Sequence, residues 1–484
     1  MKSLLLSCIY ATVALAASTS RISLCKALHD IDPAAIGPSD DGYVGLSTEN
    51  WSATAWAEPS CIVRPSDATS LSKVVGLLVE NEIQFAIRSG GHMPSPLGAN
   101  INNGVLIDMS RFDNLVYDEK EQVVTIGAGL RWRDVYEGLE KYNRTAVGGR
   151  VLDVGVGGLI LGSGLSYLSD LYGLACDNVV SFEIILPNGT LTTATHTHHP
   201  DLFWALKGGA NNFGIVTTFT INTYPLPTVW GGIKIYTLDQ LPSVLDAFHE
   251  YQSTPNKDPH ANLMIQAAPL NESIGVLVNM VYLKPEANPA AFKPFEKLST
   301  VADTTKVQSF VEMMGGAVLP DIPRWDWHAT SFTPSRTLYS TISSLLVNAP
   351  ELSTLSALNT GTLTIGFQPI SSSVVTAGLA RGGNALGLSP VDQTWLVLDV
   401  GWQFAKDDKT AHEATGSLRR KIEKAAKEED EYVEYIFMND ASWDQDVIGH
   451  YGEGNVKRLQ RVIGEYDGDG VWGRLVGGGF KVPS

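Results

Sequence analysis

Apolar residues recur along the chain at two periods, and the switching between them lays out the elements. After Pro65-Ser66-Asp67, a helix-start signal, Leu71, Val74, Val75 and Leu78 stand at helical spacing. The short apolar runs at Phe85 to Ile87, Val105 to Met109 and Val123 to Gly127 predict strands. Trp132, Val135, Tyr136 and Leu139 then mark one face of a second helix. Val179 to Leu186 predicts another strand, which Pro187-Asn188-Gly189 turns into Leu191-Thr192-Thr193 as a hairpin, and Asp201-Leu202-Phe203-Trp204 reads as helical. This mixture is an α+β unit of short strands. Around Pro225-Leu226-Pro227 the character changes. From Trp230 to about Asp430 the chain carries alternating strands, longer loops and fewer glycines, as a second domain would. Leu418, Ile422 and Ala425, with the charged run Arg419 to Glu431, predict a solvated amphipathic helix near its end.

Length and composition agree with two cores, since 484 residues exceed what one core holds and 44% of them are apolar. A net charge of −17 argues against a nucleic-acid partner, which would need clustered Lys and Arg. Met1-Lys2, the apolar run Leu4 to Ala16 and the small-residue ending Ala14-Leu15-Ala16 predict a signal peptide over residues 1–16, and hence a secretory-pathway or extracellular protein. No later apolar stretch reaches the roughly 18 residues of a membrane span. Four N-x-[ST] triplets, at Asn50, Asn143, Asn188 and Asn271, are compatible with N-glycans in that compartment. Cys8 leaves with the signal peptide. Of the remaining three cysteines, Cys25 and Cys61 flank a loop-rich segment that a disulfide would staple, and Cys176 lies among Leu174, Ala175 and Val179 as a buried free thiol.

Candidate chemistry starts at Arg88-Ser89-Gly90-Gly91-His92, directly after the strand at Phe85 to Ile87. Two adjacent glycines let the backbone turn with positive φ and present its N–H groups to a phosphate, and His92 lands beside whatever is bound. Alone, these five residues fit a tight turn with a satisfied histidine better than a ligand site. Downstream, Gly155, Gly157, Gly158, Gly162 and Gly164 lie among Val and Leu, where a cofactor could rest on bare backbone. The run is neither a dinucleotide fingerprint, because Ile160 stands where the third glycine belongs, nor a P-loop, because no Lys closes it. His196, His198 and His199 lack ligand spacing, so no metal site is expected. A hydrolase is disfavoured: G-x-S-x-G is absent, and His249-Glu250 and His412-Glu413 lack the second His of a zinc-protease motif.

Taken in order, Arg88 to His92, the Gly155 to Gly164 run, Gly173-Leu174-Ala175-Cys176-Asp177-Asn178-Val179, Asp201 to Gly209 and Asn212-Phe213-Gly214-Ile215-Val216 resemble the FAD-linked oxidases of the berberine-bridge-enzyme-like family. Tyr451-Gly452, Asn455, Leu459, Tyr466-Asp467 and Gly478-Gly479-Phe480-Lys481 resemble its closing segment. The resemblance implies an α+β, two-domain vanillyl-alcohol-oxidase-type (PCMH) fold. Residues 40–229 and 431–484 would form the FAD-binding domain, and residues 230–430 an antiparallel-sheet substrate domain. It also implies a covalent link from the flavin to His92 and a pyrophosphate on the amides of Ser89, Gly90 and Gly91. Further FAD contacts would come from Arg88, Gly155, Gly157, Gly158, Gly162, Asp177, Asn178, Val179, Gly214, Ile215, Val216 and Asn439.

Departures from the family pattern shape the expected chemistry. Many relatives carry a second flavin-linking cysteine where this chain has Val151, so the link through His92 would be single. Relatives tend to have Tyr beside the C-terminal Asn, where this chain reads Phe437-Met438-Asn439-Asp440. The carboxylate-base motif of the plant alkaloid enzymes is not recognisable near Gly383 to Leu388, which leaves Asp440 and His328 as alternative bases. Val154 matches the position that gates oxygen access. The implied activity is an FAD-dependent oxidase that removes a hydride from a small secondary-metabolite molecule, with molecular oxygen as acceptor and hydrogen peroxide as by-product. A flavin-bearing non-redox cyclase and a carbohydrate oxidase are the alternatives.

Overall fold

The computed structural model describes residues 24–271, 273–316 and 321–484. The expected signal peptide and Cys8 lie outside the described residues. Cys25 and Cys61 are joined in a disulfide, and Cys176 is a buried free thiol.

Three sheets organise the chain. A small parallel sheet has Val105–Asp108 between Cys61–Val63 and Phe85–Arg88. All but one of its residues are buried, as parallel strands covered on both faces require. The helix Ala68–Glu80 connects the first two of these strands. It begins where Asp67 caps it, the carboxylate accepting from Ser70 N at 2.9 Å, and it buries Leu71, Val74, Val75 and Leu78. An antiparallel sheet follows in the order Leu115–Asp118, Val123–Gly127, Ile215–Pro225, Val179–Ile185, Leu191–Thr195, with Arg144–Ala146 also paired to Ile215–Pro225. The expected hairpin is its outer pair. These two sheets share a core with the C-terminal helices, among them Glu453–Tyr466.

The third sheet has nine strands, all antiparallel, in the order Ala302–Asp303, Val229–Tyr236, Val276–Tyr282, Ala261–Ala267, Thr362–Ile370, Gln393–Trp402, Arg324–Phe332, Tyr432–Val433, with Lys306–Gln308 on Val229–Tyr236. One face packs against the helices Leu241–Gln252, Arg336–Asn348 and Asp408–Glu428 in a second core. The other face turns toward the first unit.

Two expectations change. The helix read from Leu418, Ile422 and Ala425 is amphipathic as expected, burying Ala411, Ala414, Leu418, Ile422 and Ala426 against the sheet and leaving Lys409, Glu413, Lys424 and Glu428 in solvent; what changes is its start, which lies at Asp408. Strand pairing also continues past Asp430, because Tyr432 and Val433 pair with Phe332 and Ser331. Among the glycosylation triplets, Asn143 and Asn188 are exposed, but Asn50 is buried and accepts from Arg88 and Asn100 through Oδ1. A glycan on Asn50 would displace that network, so this position is not an acceptor in the folded chain.

Candidate cofactor and active site

Gly90 and Gly91 end the parallel sheet with a turn that only glycine fits. Gly91 sits at φ +64°, and a Cβ on Gly90 would lie 2.5 Å from both Cα and N of Gly155. Ser89 ties the same two segments by its hydroxyl, donating to Ala128 O at 2.6 Å and accepting from Gly157 N at 3.2 Å. The glycine run itself folds into a short helix, Val156–Leu161, and Gly158 on it has nothing within 4 Å of where a Cβ would stand. Asn439 closes the far end: Nδ2 donates to Gly158 O and Leu159 O at 3.3 and 3.4 Å, and Oδ1 accepts from Gly164 N at 3.1 Å. Ser89, Gly90, Gly155, Gly157, Gly158, Gly162 and Asn439 are thus brought together, Gly90 packed on Gly155 and Gly162 on Asn439, with open space over Gly158.

His92 reaches from this turn to the nine-stranded sheet. Its ring stacks on Trp51 at 4.6 Å with 5° between the planes, and Trp327 lies 5.8 Å away. Burial, reinforced by the Arg131 guanidinium, holds the imidazole down to about 4, so it is neutral at physiological pH. Its Nε2 is buried without a hydrogen-bond partner among the described residues. A neutral ring with an unpartnered nitrogen, open space over Gly158 and a double-glycine turn at Gly90 and Gly91 together fit a cofactor carrying a pyrophosphate.

Some expected contacts are engaged elsewhere. The Arg88 guanidinium turns behind the turn, with Nε donating to Asp108 at 2.9 Å and Nη1 to Leu46 O at 2.7 Å and Asn50 at 3.1 Å. It braces the turn from within the protein. Asp177 accepts from Leu174 N and Asn384, and Asn178 bonds Tyr172 O, Leu174 O and the Tyr224 hydroxyl, so both side chains fix their own loop ahead of Val179. Gly214 leads into the strand where Ile215 and Val216 pair with Ile185 and Ile184. That strand reaches the turn indirectly, since Thr217 O accepts from Ala128 N.

On the sheet face opposite the helices, Trp327, Asp399 and Thr364 stand in register. Asp399 is pushed well above the usual carboxylate range by burial and by the neighbouring Asp440. Burial also raises Asp440, which is opposed by the charge of Arg150 and by the amide of Gln368, whose Nε2 donates at 2.8 Å. Gln368 in turn accepts from Arg150. Neither Asp399 nor Arg150 was singled out from sequence. A lone carboxylate inside the apolar run Trp395-Leu396-Val397-Leu398-Asp399-Val400 was the available signal, because burying one is costly.

His328 is not brought to this face. It occupies the same strand as Trp327 but points the other way, toward Gly416 of the long helix, with Nε2 3.1 Å from Asp326 Oδ2. His412 donates to the same Asp326 oxygen at 2.6 Å and to Asp444 at 3.2 Å, and the two carboxylates raise it to about 10. Asp326, His328 and His412 place three ligand-type atoms within 4.8 Å of one another. These atoms are already joined by hydrogen bonds, and Ser442 adds a bond to Asp326 at 3.1 Å. The cluster clasps the 438–445 segment, which carries Asn439 and Asp440, to the central strand. Val154 sits beside the Gly90–Gly155 contact, its carbonyl accepting from Trp132 N at 3.0 Å.

Comparison with known proteins agrees with this geometry. Residues 59–195 match the model of the FAD binding domain family. The chain is 34% identical over 443 residues to the FAD-dependent monooxygenase tpcD of Cochliobolus heterostrophus, covering 88% of this chain and 85% of that one. It is 33% identical over 451 residues to the bifunctional solanapyrone synthase of Alternaria solani, covering 93% and 87%. In fold it is similar to 6-hydroxy-D-nicotine oxidase from Arthrobacter nicotinovorans, with a TM-score of 0.77 at 21% identity over 93% of this chain and 97% of that one. No helix among the described residues is long and apolar enough to cross a membrane. The turn, the open space over Gly158 and these likenesses converge: the chain belongs to the berberine-bridge-enzyme-like group of vanillyl-alcohol-oxidase-type FAD-linked oxidoreductases.

Proposed function

We propose that this enzyme is an FAD-linked oxidase that removes a hydride from a small organic, secondary-metabolite substrate, with molecular oxygen as the final acceptor and hydrogen peroxide as by-product. The observation that carries the reading is His92, a partly buried, neutral imidazole with an unpartnered ring nitrogen, held flat against Trp51 and beside Trp327 of the nine-stranded sheet. Bound FAD supplies the two-electron acceptor. His92 would be its single covalent anchor, since Val151 offers no thiol, and the amides of Ser89, Gly90 and Gly91 would hold its pyrophosphate.

Proton handling falls to the carboxylate pair. Two neighbouring buried carboxylates do not both ionise readily. Asp399 has no cation opposing its burial, whereas Asp440 faces Arg150 and accepts from Gln368. Asp399 is thus the more strongly raised of the two, and Asp440, opposed by Arg150 and Gln368, is the one placed to act as the base toward the substrate. Secretory-pathway placement fits the Cys25–Cys61 disulfide, with exposed Asn143 and Asn188 as N-glycan positions.

The test is a visible spectrum of the purified protein before and after acid denaturation, followed by substrate addition. Flavin retained by the denatured chain and released in His92→Ala supports the anchor. Substrate-dependent bleaching with peroxide release supports the oxidase. A flavin-bearing, non-redox cyclase is the alternative, and turnover with permanently oxidised flavin would select it. Oxygen appearing in the product instead of in peroxide would select a monooxygenase, as the Cochliobolus heterostrophus relative is called.

A further inference from the structure

Arg150 is a half-buried cation on the cleft side of the sheet, and no carboxylate among the described residues pairs with it directly. Its Nη1 points at the Met264 thioether at 3.4 Å, its Nη2 donates to the Gln368 amide oxygen, and its guanidinium lies 5.9 Å from the Tyr167 ring centre. A thioether is a weak acceptor, and one amide oxygen leaves most of the five guanidinium N–H donors unused. Among the described residues no carboxylate comes within ion-pair distance of it. Asp440 stands one residue further away, separated by the Gln368 amide that bonds to both. With Asp440 held off by the Gln368 amide, a half-buried guanidinium with free N–H donors can make a direct charge-assisted bond to a ligand that brings an anion.

Room exists for such a group. Arg150 lines a cavity of about 20 Å³ with Tyr167, Ile233, Asn279, Met313 and Met314. That is space for one water-sized group, an oxygen and not a ring. Among the described residues, Arg150 is the one charged side chain lining it, beside the Asn279 amide and Tyr167.

We propose that Arg150 forms an oxyanion subsite, and that the substrate is a small organic acid presenting an ionised oxygen, carboxylate or enolate, to the guanidinium. This rests on the oxidase reading, because it places the substrate in the same cleft. Only the ionised oxygen would enter this small cavity, between Arg150 and the Asn279 amide; the body of the molecule would lie outside it, where Met264 and Gln368 meet Arg150. The anion also orients the substrate with Gln368 and Asp440 on the same side.

Isothermal calorimetry on the flavin-loaded protein tests the subsite without relying on turnover. Benzoate is compared with benzamide, and the enolate of cyclohexane-1,3-dione with cyclohexanone. One or both anions are expected to bind at least about tenfold more tightly than the neutral counterpart, a charge-assisted bond being worth that much. Which pair discriminates separates a carboxylate substrate from an enolate one. Arg150→Met should abolish the preference at unchanged flavin content, and Arg150→Lys should restore part of it. Equal binding of anion and neutral partner, no binding of either anion, or a preference that survives in Arg150→Met would overturn the subsite. A protein that carries no flavin would overturn the oxidase reading instead.

Discussion

Gly90 and Gly155 touch backbone to backbone: a Cβ on Gly155 would lie 2.3 Å from Gly90 N and 2.6 Å from Gly90 Cα. The contact joins the turn after the parallel sheet to the glycine-rich helix, and neither partner can move aside as a flexible side chain would. Gly155→Ala is expected to push the two segments apart, at a cost of roughly 1–3 kcal/mol. Gly158→Ala is the counterpart. Open space surrounds that position and alanine favours a helix by about 1 kcal/mol, so the fold should hold or gain stability while flavin content falls. Thermal unfolding and the flavin-to-protein absorbance ratio read the two effects. Full flavin loading in Gly158→Ala would show that the space is not the cofactor's.

The pH profile of stability should carry the signature of His412. Its folded value, about 10, lies above the ordinary 6.5, so the contribution is complete below 6.5 and is lost as the pH rises through about 10. Asp326, lowered to about 2, works in the opposite sense, contributing above 3.8 and losing its contribution as the pH falls through about 2. Melting temperatures of the wild type and His412→Gln should therefore differ most between about pH 4 and 6.5, narrow above that and converge by pH 10 to 11. A constant gap across that range would mean that His412 stabilises by packing on Trp443 and not by charge.

Local signals in the sequence were enough for much of this architecture. Helical spacing placed Ala68–Glu80 and Trp132–Glu140, the Pro187-Asn188-Gly189 turn placed the hairpin, and the double glycine placed the turn after Phe85–Arg88. What stayed hidden depends on partners distant in the chain. Period-two alternation puts His328 and Trp327 on opposite faces, but only the folded sheet tells which face meets the cleft. Asp399 gains its meaning from register with Trp327 and from Asp440, and Arg88 looked available until Asp108 was seen to hold it. The start of the long helix was masked by Gly416, which is small because His328 packs there: a Cβ would meet its Cε1 at 3.2 Å.

Val154 tests the oxygen side of the reaction. It adjoins Gly155 and is partly buried at the mouth of the glycine helix, its position fixed by bonds of its own backbone to Val151 O and Trp132 N. Val154→Leu adds one methylene without disturbing those bonds. Reoxidation by oxygen should slow while reduction by substrate stays nearly constant, both read by stopped-flow absorbance. Unchanged reoxidation would remove Val154 from the oxygen path.

Asp440 and His328 are separable as bases because they lie on opposite faces of the nine-stranded sheet. Asp440→Asn keeps the shape and the bond from Gln368 but cannot accept a proton, so flavin reduction by substrate should slow by about 10²–10⁴, the usual worth of a positioned base. Removing that carboxylate also removes the repulsion that helps raise Asp399, whose value should fall toward the ordinary range. Part of the lost rate should then return at high pH, as Asp399 ionises and takes over. His328→Gln should leave the reduction rate intact and lower the melting temperature, because His328 serves the Asp326 clasp behind the sheet. Rapid-mixing reduction rates measured from pH 6 to 10 on the wild type, both single variants and Asp399→Asn decide the matter. Slow reduction in His328→Gln with normal reduction in Asp440→Asn would reverse the assignment.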